Sequence, residues 1–105
     1  MKPNIGAHVS ASGGLYKSIE NAQAIGVECV QLFGASPRQW AVRMPSDEDF
    51  SKFKKAREVG SIGPVYLHAA YLPNLSTLDD AMYEKSIKNL SEHLTIAERM
   101  GAEGL

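Results

Sequence analysis

From Ile5 the chain is small and apolar through Ile5-Gly6-Ala7-His8-Val9, then turns polar and flexible through Ser10-Ala11-Ser12-Gly13-Gly14. A short apolar run closed by a breaker cluster is the pattern of a buried strand feeding a loop, so the first strand is expected to end near His8. Leu15, Ile19, Ala22 and Ile25 then recur on one helical face, with Ser12 as the expected cap and Gly26 as the stop. Val27-Glu28-Cys29-Val30-Gln31-Leu32-Phe33 favours β structure and is too short for an ordinary helix before Gly34, which predicts a second strand. Residues from Gly34 to Pro45 read as a loop.

Ser46-Asp47-Glu48-Asp49 offers a capping residue followed by acids, which a helix N-terminus favours, and Phe50, Phe53, Ala56 and Val59 supply the apolar stripe of a second helix up to Gly60. Pro64-Val65-Tyr66-Leu67-His68 predicts a third strand, since Pro is tolerated at a strand's first residue. A second long loop follows from Ala69 to Thr77. Thr77, with Asp80 three residues on, reads as the cap of a third helix whose face is traced by Ile87, Leu90, Leu94, Ala97 and Met100 until Gly101.

Strand and helix alternate three times, which predicts the α/β class with parallel strands joined by helical crossovers. If the strands lie in sequential order, right-handed crossovers put all the helices on one face. The other face, expected to carry Ile5 or Val9 with Val30, Leu32 and Leu67, is then left without cover, and both edge strands are unpaired. Residues 1–105 are therefore expected to be the N-terminal part of a single barrel domain, or else to associate with copies of themselves.

Composition narrows the partners. The 105 residues carry 11 Lys and Arg against 12 Asp and Glu, a net charge of −1, which argues against an intrinsically basic nucleic-acid binder but leaves a local patch open. The lone Cys29 lies in an apolar run and excludes an intramolecular disulfide framework, so a buried, reduced thiol in a cytoplasmic protein is expected. The N-terminus shows no signal-peptide core, and no apolar run approaches the roughly 18 residues of a membrane span.

In βα architectures the loops after the strands build the active site. His8 and His68 both end strands and share a rim, as metal ligands, proton-transfer groups or hydrogen-bonded structural residues; no HExxH, CxxC or EF-hand spacing accompanies them. His93, beside Glu92, is expected on the solvated face of the third helix. Arg38, Gln39, Trp40 and Arg43 combine guanidinium, amide and a large aromatic in one loop, which suits phosphates and exposed bases; the alternative is that Trp40 packs on the rim and Arg38 is merely solvated. Tyr71 and Leu72 side by side suit a wedge into a base stack, or a cap on the core. Gly13-Gly14 would admit a phosphate to the backbone but is a weak signal alone. Lys52, Lys54, Lys55 and Arg57 read as a solvated outer face.

Taken together, Ile5-Gly6-Ala7-His8-Val9-Ser10-Ala11-Ser12-Gly13-Gly14-Leu15, Ser36-Pro37-Arg38-Gln39-Trp40 and His68-Ala69-Ala70-Tyr71-Leu72-Pro73-Asn74-Leu75 resemble the N-terminal part of the endonuclease IV family, the apurinic/apyrimidinic (AP) endonucleases of base-excision repair. The resemblance runs along the whole chain. It implies a (β/α)8 TIM-type barrel with a trinuclear zinc site, of which this chain supplies the first three βα units. It implies His68 as a zinc ligand, while His8 matches a motif position at the rim without being carried over as one. It implies Arg38, Tyr71 and Leu72 as side chains that enter the DNA beside a flipped abasic nucleotide, with Gln39 as a neighbour in the same DNA-contacting loop. The implied reaction on double-stranded DNA is hydrolysis of the phosphodiester 5′ to an abasic site, leaving a 3′-hydroxyl, by an enzyme expected to be monomeric when complete.

Ser36, Ala70 and Pro73 depart from the residues usual in that family. The remaining zinc ligands of the family have no counterpart here, so this chain alone is expected to be inactive and to hold zinc weakly. A sugar isomerase or epimerase of the same barrel class, and a non-catalytic DNA-binding or self-associating module, are the alternatives. The Arg38 to Trp40 and Tyr71 to Leu75 loops favour DNA over a small carbohydrate.

Overall fold

The computed structural model of the protein describes residues 2–105. Its elements run β1 (Gly6–His8), α1 (Lys17–Ile25), β2 (Cys29–Leu32), α2 (Asp47–Gly60), β3 (Val65–Leu67) and α3 (Asp80–Met100). The sheet is parallel in the order β1-β2-β3, with Ala7 opposite Val30 and Val30 opposite Val65. Sequential order with helical crossovers packs all three helices on one face, where Ile19, Phe53 and Ile96 join Val30, Leu32, Val65 and Leu67 in a single core.

The pleat corrects the expected faces. Val9, Val30, Leu32 and Leu67 are buried beneath the helices, so they do not line the open face. That face carries instead the alternate row, Gly6, His8, Cys29, Gln31 and Tyr66, which is small or polar; His8 and Gln31 are register partners, as are Gln31 and Tyr66. Among the described residues no helix covers that face, and Tyr66 is 48% exposed on it. Cys29, expected to be buried, is a half-buried free thiol there because it falls on the same parity as Gln31. The outer edge of β3 is also not bare. Glu103 N–H donates to the Val65 carbonyl at 2.8 Å and Leu67 N–H to the Gly104 carbonyl at 2.9 Å, in a parallel bridge between Tyr66 and Gly104.

Helix ends follow local chemistry, with two corrections. The expected Ser46 cap forms a capping box: its hydroxyl accepts from Asp49 N–H, and the Asp49 carboxylate accepts from Ser46 N–H, both at 3.1 Å. α1 is not capped by Ser12; its N-cap is Tyr16, without a side-chain bond, and the first turn winds up through tight bonds from Lys17 N–H to Gly14 O and Ser18 N–H to Leu15 O. α3 is capped by Asp79, which accepts from Met82 N–H at 2.7 Å, while Thr77 accepts from Asp79 N–H one step outside the helix. Gly26 and Gly101 close α1 and α3 in the left-handed conformation, as their positions predict.

The apolar stripes also shift at their ends. Ile25 and Val59 are exposed, since each sits in a last turn that has run past the core. On α3, Ile87 and Leu94 face outward, and the buried face is Ser86, Asn89, His93, Ile96, Ala97 and Met100. The helix is rotated because its N-terminal half meets polar loop backbone, not a sheet. His93 is therefore fully buried and not on the solvated face. Burial holds its pKa below the ordinary histidine value against the opposing pull of Glu92.

Candidate functional site

β1, β2 and β3 end side by side, so the residues following each are brought to one rim. His8, Phe33, His68 and Tyr71 meet there as an aromatic cluster. Ring centroids lie 4.7 Å apart for His8 and Phe33, 5.0 Å for Phe33 and His68, 5.5 Å for Phe33 and Tyr71, and 5.9 Å for His8 and His68. Most of these contacts are edge-to-face, the arrangement that aligns a positive ring edge with a neighbour's negative face. Phe33 is the hub, and sequence reading assigned it no role; its place at the end of β2 between two strand-end histidines was the available signal.

The two histidines are oriented by different acceptors. His68 Nδ1 lies 2.6 Å from the Ala69 carbonyl, which accepts only if that nitrogen is protonated, so the lone pair is on Nε2 of an exposed residue. His8 Nδ1 lies 3.1 Å from Gln31 Oε1, its cross-strand partner on the open face. Among the described residues, no group of three or more His, Cys, Asp or Glu side chains comes together in a way that could hold a metal.

The loops following β2 and β3 are tied to each other and to α3. Tyr71 N–H donates to the Pro37 carbonyl at 2.9 Å, which sets the segment of Arg38 and Gln39 beside that of Tyr71 and Leu72. Arg38 and Gln39 are exposed, Tyr71 is 59% exposed, and Leu72 is half-buried against the rim. Trp40 is half-buried, with the ammonium of Lys85 on α3 5.8 Å from its ring centroid, while Arg38 and Gln39 reach solvent. The Trp40 carbonyl accepts from Asn89 Nδ2, and Asn74 N–H donates to Ser86 Oγ.

A groove of about 1010 Å³ opens between the loops after β1 and β2, from His8, Ser10 and Phe33 outward to Gln39, Arg43 and Asp49. Arg38, His68, Tyr71 and Leu72 lie outside its lining. Gly14, at φ 142°, lines it in a backbone conformation that only glycine adopts readily. Away from the rim, Lys52 pairs with Glu48 at 3.1 Å and, with Lys54 and Lys55, stays exposed as expected. Arg57 departs from that solvated face and is tied into the fold by four acceptors.

A family described as xylose isomerase-like TIM barrel matches residues 19–105. A curated relative, probable endonuclease 4 from Halothermothrix orenii, is 34% identical over 99 residues, which cover 94% of this chain and 36% of that protein. The crystal structure of endonuclease IV from Thermus thermophilus superposes with a TM-score of 0.91 at 35% identity, over 96% of this chain and 38% of that one. A D-psicose 3-epimerase structure shares the fold at a TM-score of 0.70 and 14% identity, over 97% of this chain and 37% of that one. The chain thus spans about a third of the length of the curated relatives it matches.

Proposed function

This chain belongs to the endonuclease IV family of xylose isomerase-like TIM barrels, and from that premise we propose that it is part of a zinc-dependent AP endonuclease of base-excision repair, which cuts 5′ to an abasic site and leaves a 3′-hydroxyl. The observation that carries the reading is the junction of the two rim loops. The bond from Tyr71 N–H to Pro37 O sets an exposed aromatic and a half-buried aliphatic beside an exposed guanidinium and amide, next to the exposed His68. A site for a small carbohydrate has little use for such a projecting edge, whereas an interrupted base stack does.

In this reading Tyr71 and Leu72 fill the gap left by the missing base, and Arg38, with Gln39 at its side, enters from the adjoining loop. An abasic nucleotide has no base to unstack, so it is extruded at least cost. His68 would hold the metal through Nε2, its ring oriented by the Ala69 carbonyl, and the residues present fit one ligand of a metal centre. Zinc, when bound, would supply an activated water and neutralise the phosphate. One imidazole does not retain such a cluster, so the 105-residue chain by itself is expected to bind without cutting. No helix among the described residues is long and apolar enough to cross a membrane. We propose a cytoplasmic location on the strength of the lone, unpaired Cys29. The open face of Gln31 and Tyr66 is expected to drive self-association of the isolated chain, a shift that sedimentation would register.

The test is fluorescence anisotropy with a labelled duplex containing a tetrahydrofuran abasic analogue, against the intact duplex of the same sequence. Tighter, salt-sensitive binding to the abasic duplex is expected. Equal affinity for the two would overturn the reading, and incision by this chain in zinc, abolished by chelation, would overturn its expected inactivity.

A further inference from the structure

Two polar side chains on the buried face of α3, nearly one turn apart, each hold a different rim loop. Ser86 is fully buried; its hydroxyl donates to the Met82 carbonyl and accepts from Asn74 N–H, both at 2.8 Å. Asn89 is 1% exposed and donates from Nδ2 to the Trp40 carbonyl at 3.0 Å. The bond from Tyr71 N–H to Pro37 O joins the two loops directly. The attachments therefore close a triangle with α3 as its base, the segment of Arg38 to Trp40 as one side and that of Tyr71 to Asn74 as the other.

Polar groups on a helix's buried face cost free energy unless they are bonded, and apolar residues at these positions would bury more cheaply. What Ser86 and Asn89 supply that a leucine would not is a directional hold on loop backbone. Side chains that enter a base stack gain only what remains after their own ordering is subtracted, so loops fixed beforehand bind more tightly.

We propose that Ser86 and Asn89 are positioning residues that lock the two loops into one rigid unit and thereby set the preference for abasic over intact duplex. The second half of this statement rests on the DNA-repair reading; the first does not.

In the 105-residue chain, amide hydrogen exchange and acrylamide quenching of Trp40, the sole tryptophan, would be compared across Asn89→Ala, Ser86→Ala and Ser86→Thr. Loss of the Asn89 donor is expected to speed exchange at the Tyr71 amide, which Asn89 does not touch, by roughly two- to tenfold, the range of one hydrogen bond. Trp40 quenching should rise, with the Ile96 amide in the core unchanged. Ser86→Ala should act alike, and Ser86→Thr, which keeps the hydroxyl, should restore the slower exchange. If Asn89→Ala loosens Ile96 as well, Asn89→Leu, which fills the space without the donor, decides on the same Tyr71 readout. Unchanged Tyr71 exchange in the folded variants would overturn the coupling.

A parallel anisotropy measurement should show the ratio of abasic to intact affinity falling by a similar factor. A wild-type ratio of one would sink the DNA reading and leave the exchange data to decide the loop coupling. A wild-type preference that survives accelerated Tyr71 exchange would overturn the positioning role.

Discussion

Arg57 Nη2 on α2 meets Glu103 Oε1 at 2.6 Å, and through this pair the guanidinium joins the end of α2 to the segment after α3. The same side chain donates to the carbonyls of Ile62, Gly63 and Gly101, and the other Glu103 oxygen accepts from Val65 N–H at 2.6 Å. Burial alone would raise the Glu103 pKa, but the Val65 N–H and the Arg57 guanidinium more than offset it and hold the carboxyl below the ordinary glutamate value. A lowered folded pKa means stability that is present above the unfolded value of about 4.3 and lost as pH falls through the folded one. Glu103→Gln should remove that part of the acid sensitivity and cost about 1 kcal/mol at neutral pH, since the pair is partly solvent-screened. Urea midpoints measured against pH would check it; an unchanged acid limb in the variant would show the pair to be idle.

Gly6 explains one letter of the first motif. A Cβ there would run into the Cys29 carbonyl and lie 2.5 Å from Cys29 Sγ on the neighbouring strand. Backbone atoms of a paired strand cannot give way, so Gly6→Ala should push β1 off β2 and destabilise the chain by at least the roughly 1–3 kcal/mol of an overpacked core. Gly26→Asn is the contrasting control, because a Cβ at Gly26 meets nothing within 4 Å and Asn tolerates the left-handed conformation. Equal melting temperatures for Gly6→Ala and wild type would refute the close approach.

The alternation of strands and helices was legible because each element carries its own punctuation: the capping box at Ser46, the left-handed stops at Gly26 and Gly101, the short β-rich runs before Gly34 and after Pro64. Facing was not. Strands of three or four residues hold too few alternations to fix parity, so Val30 and Leu32 could be assigned to either face until the register was known. The rotation of α3 was hidden for a different reason. Its inward residues Ser86 and Asn89 are polar because they bond loop backbone, and a hydrophobic pattern reads them, with the buried His93, as outward. At the rim, residue types at strand ends pointed to His8, His68 and Tyr71, while the hub Phe33 and the anchor Asn89 belong to contacts across the chain that no local pattern encodes.

His93 should act as an acid-sensitive weak point. Neither ring nitrogen has a hydrogen-bond partner among the described residues, and burial holds the imidazole neutral, with its pKa lowered despite Glu92. Between the unfolded value of about 6.5 and the lower folded one, the unfolded chain binds a proton that the folded chain refuses. Stability is therefore expected to decline as pH falls below about 6.5, beginning well above the pH at which Glu103 starts to protonate. His93→Leu should flatten this slope and raise stability at neutral pH by about 1 kcal/mol, because unpartnered buried polar atoms are removed. Chemical denaturation at about pH 5.5 and about pH 7.5 would check it; an identical slope in wild type and variant would place the acid sensitivity elsewhere.

Tyr71 is the residue on which the DNA reading is most exposed. Its ring stands 59% exposed yet is steadied edge-on by Phe33 at 5.5 Å and His68 at 6.3 Å, and its backbone is held by Pro37. Stacking of an aromatic side chain on a base contributes about 1–3 kcal/mol. Tyr71→Ala should therefore weaken binding to abasic duplex by roughly tenfold or more, whereas Tyr71→Phe keeps the ring and should bind nearly as wild type. The change should be specific to the gap: binding to intact duplex, which offers no vacancy in the stack, should fall much less. Anisotropy titrations of both variants on both duplexes measure the two ratios side by side, and a uniform loss on abasic and intact DNA would reduce Tyr71 to a general contact with no wedge function.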